Sequence, residues 1–107
     1  MAKITSRNYL KVKNRHPEFI DAVENLGITV KKAGPIDEKT VNLIQLAVAA
    51  ANQSEGSVHS HTRRSLEAGA TREEIYHAII LLTSTIGFPK CMAALSWVDD
   101  VIDKIDQ

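Results

Sequence analysis

Cysteine is nearly absent from this chain: Cys91 stands alone among 107 residues. No intrachain disulfide can form, no dithiol pair can cycle, and no thiolate-rich zinc cluster can be assembled. An excess charge of either sign is also missing, because thirteen basic residues cancel thirteen acidic ones and leave a formal charge of zero. The basic residues come closest together at Lys11, Lys13 and Arg15, and again at Lys31 and Lys32. That is far from the basic face on which nucleic-acid binders depend for phosphate neutralisation, so nucleic acid is not an expected partner. Long apolar runs are lacking too. Nothing approaches the ~20 residues of a membrane span, and Met1 to Arg7 holds no apolar core of signal-peptide length. A soluble protein with a cytoplasmic address is the expectation.

The few prolines and glycines act as punctuation between helices, and no stretch alternates as a half-buried strand does. A first short helix is expected around Tyr9 to Lys13. Pro17 suits the first position of a second helix, with Phe19, Ile20, Val23, Leu26 and Val30 at helical spacing and Gly27 as a candidate break. Gly34-Pro35 ends it. Asp37 is an N-cap for a third helix, Val41 to Ala51, apolar around nearly its whole circumference. After the polar stretch Asn52 to Gly56, a fourth helix runs from about Ser57 to Ala68, closed by Gly69. Thr71-Arg72-Glu73-Glu74 is a capping box opening a helix that carries Ile75, Ala78, Ile79, Ile80, Leu81, Leu82 and Ile86. Gly87-Phe88-Pro89 stops it, and a last helix sets Met92, Leu95, Val98, Ile102 and Ile105 on one stripe.

The expected fold class is therefore all-α, a single domain over 1–107 built as a bundle of about six helices. Two of those helices read as apolar on all sides, which is more than so small a domain can cover by itself. A homo-oligomer formed through apolar helices follows from that pattern.

Chemistry-bearing residues concentrate between Ser54 and Arg64. His59 and His61, two positions apart, point about 200° away from each other on a helix and cannot share a metal from one face. No ligand set with zinc spacing surrounds them, so no metal and no cofactor is expected. Ser54, Ser57 and His61 follow at steps of three and four and line one helical face, where Ser57 and His61 come within reach of each other. A nucleophile and base need an orienting group and an oxyanion hole besides, and the sequence identifies neither. A histidine that caps or packs at an interface is the competing reading. Arg63 and Arg64 are candidate carboxylate holders or solvated charges, and His77 is a candidate second titrating group or an interface histidine.

The run from Glu55 to Ile75, EGSVHSHTRRSLEAGATREEI, with Gly87-Phe88-Pro89 and Ala93-Ala94-Leu95, resembles the carboxymuconolactone decarboxylase superfamily, which includes the alkylhydroperoxidase D-like proteins. The resemblance covers about residues 35–105. It implies an all-helical fold and assembly as a trimer or hexamer. The superfamily's redox branch carries two cysteines and a histidine, which fall on Ser54, Ser57 and His61 here, and a glutamate that falls on Asn42. Only His61 is retained. A hydroxyl cannot form a disulfide, so peroxidase chemistry by that route is excluded.

The decarboxylase-like branch, which lacks the cysteine pair, is the better likeness. It implies a lyase-type, cofactor-free reaction on a small carboxylated or lactone compound. His61 and Ser57 would be the catalytic residues, and Arg64, Ser54 and His77 would contact substrate. Two other readings stand beside it: an antioxidant relying on the lone thiol of Cys91, and an oligomeric binding module without turnover. Cys91 also reads simply as a small buried hydrophobe among Met92, Ala93 and Ala94, and Phe88 and Trp97 as core aromatics. Glu55 and His59, spaced i to i+4, are expected to pair on the surface.

Overall fold

The computed structural model describes residues 6–105. Among them every regular element is helical: α1 Arg7–Arg15, α2 Pro17–Lys31, α3 Glu38–Ala51, α4 Glu55–Glu67, α5 Arg72–Ile80, α6 Thr83–Ile86 and α7 Phe88–Ile105. The all-α expectation is met. Backbone contacts gather the chain into two compact units, Met1–Ile36 and Asp37–Gln107.

In the first unit, Ser6 caps α1 by accepting from the Tyr9 amide at 3.4 Å, and Pro17 takes the first turn of α2, where its missing N–H costs nothing. Glu24 ties the two helices together: the Tyr9 hydroxyl donates to its carboxylate and Lys13 Nζ lies 3.4 Å from it. Gly27 does not interrupt α2, which runs on to Lys31.

The second unit holds the core. Asp37 caps α3, its carboxylate accepting from the Thr40 amide at 2.9 Å; hydrogen bonding from Thr40, first by its side chain and then by this amide, holds the carboxyl below its ordinary range. The chain reverses between α3 and α4 in a two-bond helix end: Gln53 N–H donates to Ala50 O and Ser54 N–H to Ala49 O. Gln53 takes the left-handed conformation, φ 53°, that glycine usually fills there. Its side-chain amide donates to Ala50 O at 2.8 Å and to Lys90 O at 3.2 Å, which fastens the turn to α7. Helix α4 closes with the same pair of bonds, to Leu66 O and Ser65 O, around Gly69 at φ 94°. The Thr71 capping box is present in both halves: Thr71 Oγ1 accepts from the Glu74 amide at 3.1 Å and the Glu74 carboxylate accepts from the Thr71 amide at 2.9 Å.

Leu46, Ala49 and Ala50 of α3, Val58 of α4, Ile75 and Ile79 of α5, and Cys91, Ala94, Val98 and Ile102 of α7 form one buried cluster. Each fully enclosed Leu or Ile side chain contributes about 1.5–3 kcal/mol. Polar links bridge its edges. Lys39 Nζ meets Glu74 Oε2 at 2.9 Å between α3 and α5, His59 Nε2 meets Asp100 Oδ2 at 3.0 Å between α4 and α7, and the Tyr76 hydroxyl donates to Asp99 Oδ1 at 2.7 Å between α5 and α7.

Several sequence expectations shift. His59 pairs with Asp100, not with Glu55, because it projects from the side of α4 that α7 packs against. The helix after the capping box ends at Ile80: Leu82 N–H donates to Ile79 O and Thr85 N–H to Leu82 O, tighter bonds than an α-helix makes. The Thr83-Ser84-Thr85 run that follows forms the short helix α6. As expected of so small a domain, the chain does not cover α3 and α5 on all sides: Ile44, Val48 and Ile80 stand exposed, with Leu81 just past α5. On α7 the buried stripe is Cys91, Ala94, Val98, Val101 and Ile102, while Met92 is exposed. Phe88 is exposed as well, at 63%, because it opens α7 ahead of the part that packs.

Three outcomes follow. Ile79→Ala lowers unfolding free energy by about 2–5 kcal/mol and Thr71→Ala by about 1 kcal/mol, read from urea midpoints at unchanged slope. The Glu74 carboxyl is held below its ordinary range, first by the Thr71 amide and then by Lys39. Its contribution is complete above the unfolded carboxyl's titration and is lost as pH falls through the lower folded value. Glu74→Gln therefore flattens the acid limb of a stability–pH curve, from the ordinary carboxylate range downward.

On the alkaline side, the Tyr76 hydroxyl is pushed up to about 12, first by its bond to Asp99 and then by burial. Stability from this bond is whole below the ordinary tyrosine value of about 10 and declines between there and the folded value. Tyrosinate absorbance should show a step near 12 that Tyr76→Phe removes and Asp99→Asn moves down.

Candidate functional site

Helices α3 and α4 form the most extensive helix pair in the structure, and the tight turn at Gln53 makes them antiparallel neighbours. Their facing sides are marked by burial: Asn42, Leu46, Ala49 and Ala50 on α3, and Val58, Thr62 and Ser65 on α4. Such a hairpin has two flanks, and advancing ~100° per residue from each buried centre assigns the remaining side chains to one flank or the other. Lys39 and His59 fall on one of them, and their bonds to Glu74 and Asp100 identify it as the flank that α5 and α7 occupy. Leu43 and Leu66, which pack on the core, fall on the same side.

Gln45 of α3 and His61, Ser57 and Arg64 of α4 all fall on the opposite flank. Antiparallel helices run their residues round in opposite senses, which is why side chains displaced the same way in sequence converge on one flank. Ser57, His61 and Arg64 stand at successive turns of α4, and Asn42 and Ser65 lie on the groove floor tilted to that side. Ser57 and His61 are half-buried, Arg64 is exposed, and Asn42 and Ser65 are buried at 1% and 0%. Asn42 Nδ2 donates to Glu38 O at 2.8 Å, and Thr62 Oγ1 donates to Val58 O at 2.7 Å. This flank therefore carries Ser57, His61 and Arg64 beside buried Asn42 and Ser65, while the opposite flank packs Leu43 and Leu66 on the core with ion pairs at its edge.

The structure sorts the sequence candidates accordingly. Ser57, His61 and Arg64 share a stripe, and Ser54 stands at its start as the N-cap of α4, making no side-chain cap bond. Arg63 projects to the other flank, where burial first, and then Arg64, hold its guanidinium below the ordinary range. His77 is exposed on α5, half a turn from the buried Ile75 and Ile79, and is not gathered with His61. Cys91 is 1% exposed and belongs to the core. No group of three or more His, Cys, Asp or Glu among the described residues could hold a metal ion. No helix among them is long and apolar enough to cross a membrane.

Two groove residues escaped the sequence reading. Gln45 Oε1 and Ser65 Oγ are both enclosed and without a hydrogen-bond partner. A signal for Gln45 existed: it is a lone polar residue inside Leu43-Ile44-Gln45-Leu46-Ala47. Ser65 carries no comparable mark, since serine between two charged or apolar neighbours is ordinary on a helix surface.

Comparison with known proteins agrees with this architecture. Residues 17–100 match the family model of the carboxymuconolactone decarboxylase family, beginning upstream of the stretch that carries the resemblance in the sequence. An uncharacterized protein of Methanocaldococcus jannaschii is 36% identical over 90 residues, covering 84% of each chain. A second uncharacterized protein of that organism is 28% identical over 85 residues, covering 78% of this chain and 82% of its own. Among solved structures, a carboxymuconolactone decarboxylase family protein from Legionella pneumophila, crystallised in its apo form, superposes with a TM-score of 0.78. It shares 27% identity, and the match covers 90% of this chain and 86% of that one. With a family model spanning most of the chain and a relative above 30% identity, this protein belongs to the carboxymuconolactone decarboxylase family.

Proposed function

We propose that the polar groove between α3 and α4 binds a small carboxylated or lactone compound and decarboxylates it by cofactor-free acid/base chemistry. The observation that carries this reading is the stripe Ser57, His61, Arg64 on the flank of the hairpin that α5 and α7 leave free. It sets an imidazole, a group able to donate or accept a proton, one turn from a permanent cation and beside the buried Asn42 and Ser65. Arg64 takes a substrate carboxylate, Ser57 orients the substrate or the imidazole, and Ser54 lines the mouth of the groove. His77 stands apart as a contact for any larger substrate.

The step balances without a redox partner. The C–C bond to the departing carboxylate breaks, its electron pair moves into the adjacent conjugated carbonyl of the substrate, and CO2 leaves. His61, as imidazolium, then delivers a proton to carbon and is reprotonated from solvent. The site supplies a proton and a place for negative charge, which is what the retained residues offer. The thiol-dependent alternative has little to stand on, because Cys91 is sealed in the core at 1% exposure.

The apolar side chains left exposed on α3, α5, α6's flanks and α7, namely Ile44, Val48, Ile80, Leu81, Phe88 and Met92, support assembly as a trimer or hexamer. A soluble, cytoplasmic homo-oligomer is the form in which we propose the protein acts.

A thermal-shift screen across small carboxylates and lactones, run on wild type and His61→Ala, tests the site. A ligand at a hundredfold excess over its Kd stabilises by about 2.7 kcal/mol, and His61→Ala should lose that gain. Turnover of the same compound, followed as CO2 release, should fall by about 10²–10⁴ in His61→Ala. Binding that persists in the variant, or binding without turnover in wild type, would favour a binding module instead.

A further inference from the structure

Two enclosed polar atoms on this flank, an amide oxygen and a hydroxyl, have no hydrogen-bond partner within the chain, and their chemistry restricts what can meet them. Ser65 is wholly buried, yet its Oγ has no hydrogen-bond partner; Gln45 Oε1, on the facing helix, is enclosed in the same condition. Buried polar groups are normally satisfied, and each exception calls for a cause. The pinned turn at Gln53 sets the register of the hairpin, so residues equidistant from it face each other: Gln45 faces Thr62, and Asn42 faces Ser65. Ser65 thus stands one turn beyond His61 on α4, and Gln45 reaches across from α3 about one helical turn, ~5 Å, along the axis from it.

A carboxylate oxygen only accepts, so it has nothing to give the amide oxygen of Gln45 and would meet its negative end. A hydroxyl both donates and accepts. Its proton can go to Gln45 Oε1 while its lone pair takes the Ser65 hydroxyl proton, which satisfies both atoms at once. The cation that would take a carboxylate, Arg64, lies further up the same flank at the exposed rim. Charge and neutral polarity are therefore separated on this flank, with Arg64 exposed and Gln45 Oε1 and Ser65 Oγ enclosed.

We infer that Gln45 and Ser65 form a hydroxyl-recognition pair, so that the compound bound at His61 carries an alcohol or enol hydroxyl in addition to its carboxylate or lactone. This rests on the reading of the His61 groove as the binding site, and it narrows the substrate class to hydroxylated members. Sites built to bond a hydroxyl discriminate strongly against analogues that lack it, because the buried partners are then left unpaired.

Matched probes separate the two claims: malate against succinate, and α-hydroxy-γ-butyrolactone against γ-butyrolactone, each titrated by thermal shift to an apparent Kd. Wild type should bind the hydroxylated member of a pair about tenfold or more tightly than its partner. Gln45→Met and Ser65→Ala should each bring that ratio toward one while leaving the affinity for succinate or γ-butyrolactone in place. A ratio near one in wild type, with binding still abolished by His61→Ala, overturns the hydroxyl pair and leaves the groove reading intact. Binding of no probe by either protein overturns both. The ligand-free melting temperatures supply the remaining arm. Ser65→Ala should melt at or above wild type, since no protein partner is lost. A clear drop in both variants would show instead that the two atoms hold a structural water, and would overturn the proposal.

Discussion

The packing of one helical hairpin on a single flank governs the rest of this structure. Helices α3 and α4 bury a shared strip of Leu46, Ala49, Ala50 and Val58 against each other, and α5 and α7 then close over one side. Small residues at Ala49 and Ala50 let the two axes approach. The turn that sets the register is held by two backbone bonds and by the Gln53 amide, whose reach to Lys90 O couples the hairpin to α7. Once that register is fixed, the destination of every side chain on α4 is fixed with it. Val58 and Thr62 go inward, His59 goes to Asp100, and His61 goes to the other flank. A hydrophobic constraint on one side thus decides where the polar groups meet on the other.

That division explains how two histidines two residues apart come to have different surroundings. His59 is held by a carboxylate from α7 at the edge of the core, in a position where it ties helices together. His61 is half-buried on the other flank, beside the buried Asn42 and Ser65. The arginines are sorted in the same manner, Arg63 toward the packed side and Arg64 toward the groove. Neighbours in sequence are therefore poor guides to shared function on a helix, and turn-spaced residues are better ones.

Much of this was legible in the residues themselves. The Asp37 cap, Pro17 at a helix start, Gly69 after α4 and the Thr71 box each announce a boundary through backbone hydrogen bonding that only a few residue types can satisfy. Spacing alone put Ser57 and His61 on one face. What spacing could not supply was the identity of the facing partner, since Gln45 and Asn42 come from another helix whose register depends on the turn. That turn was obscured because Gln53 sits in a left-handed conformation where a glycine would have advertised the helix end. The break at Leu81-Leu82 was hidden for a different reason. Apolar periodicity continues through it, whereas the break lies in the backbone bonds from Leu82 to Ile79 O and from Thr85 to Leu82 O, which no hydrophobic pattern records. The apolar circumference of α3 was informative too, since Ile44 and Val48 are left exposed, as a chain too small to cover it requires.

The burial of Cys91 gives the molecule a property unrelated to its groove. A thiol at 1% exposure in the middle of the α3–α4–α5–α7 core meets reagent only when that core opens. Being the sole sulfhydryl, it cannot be confused with any other, and no internal partner can capture it during opening. The chain thus carries its own clock: the rate at which this one sulfur becomes modifiable measures how often the native fold lets go.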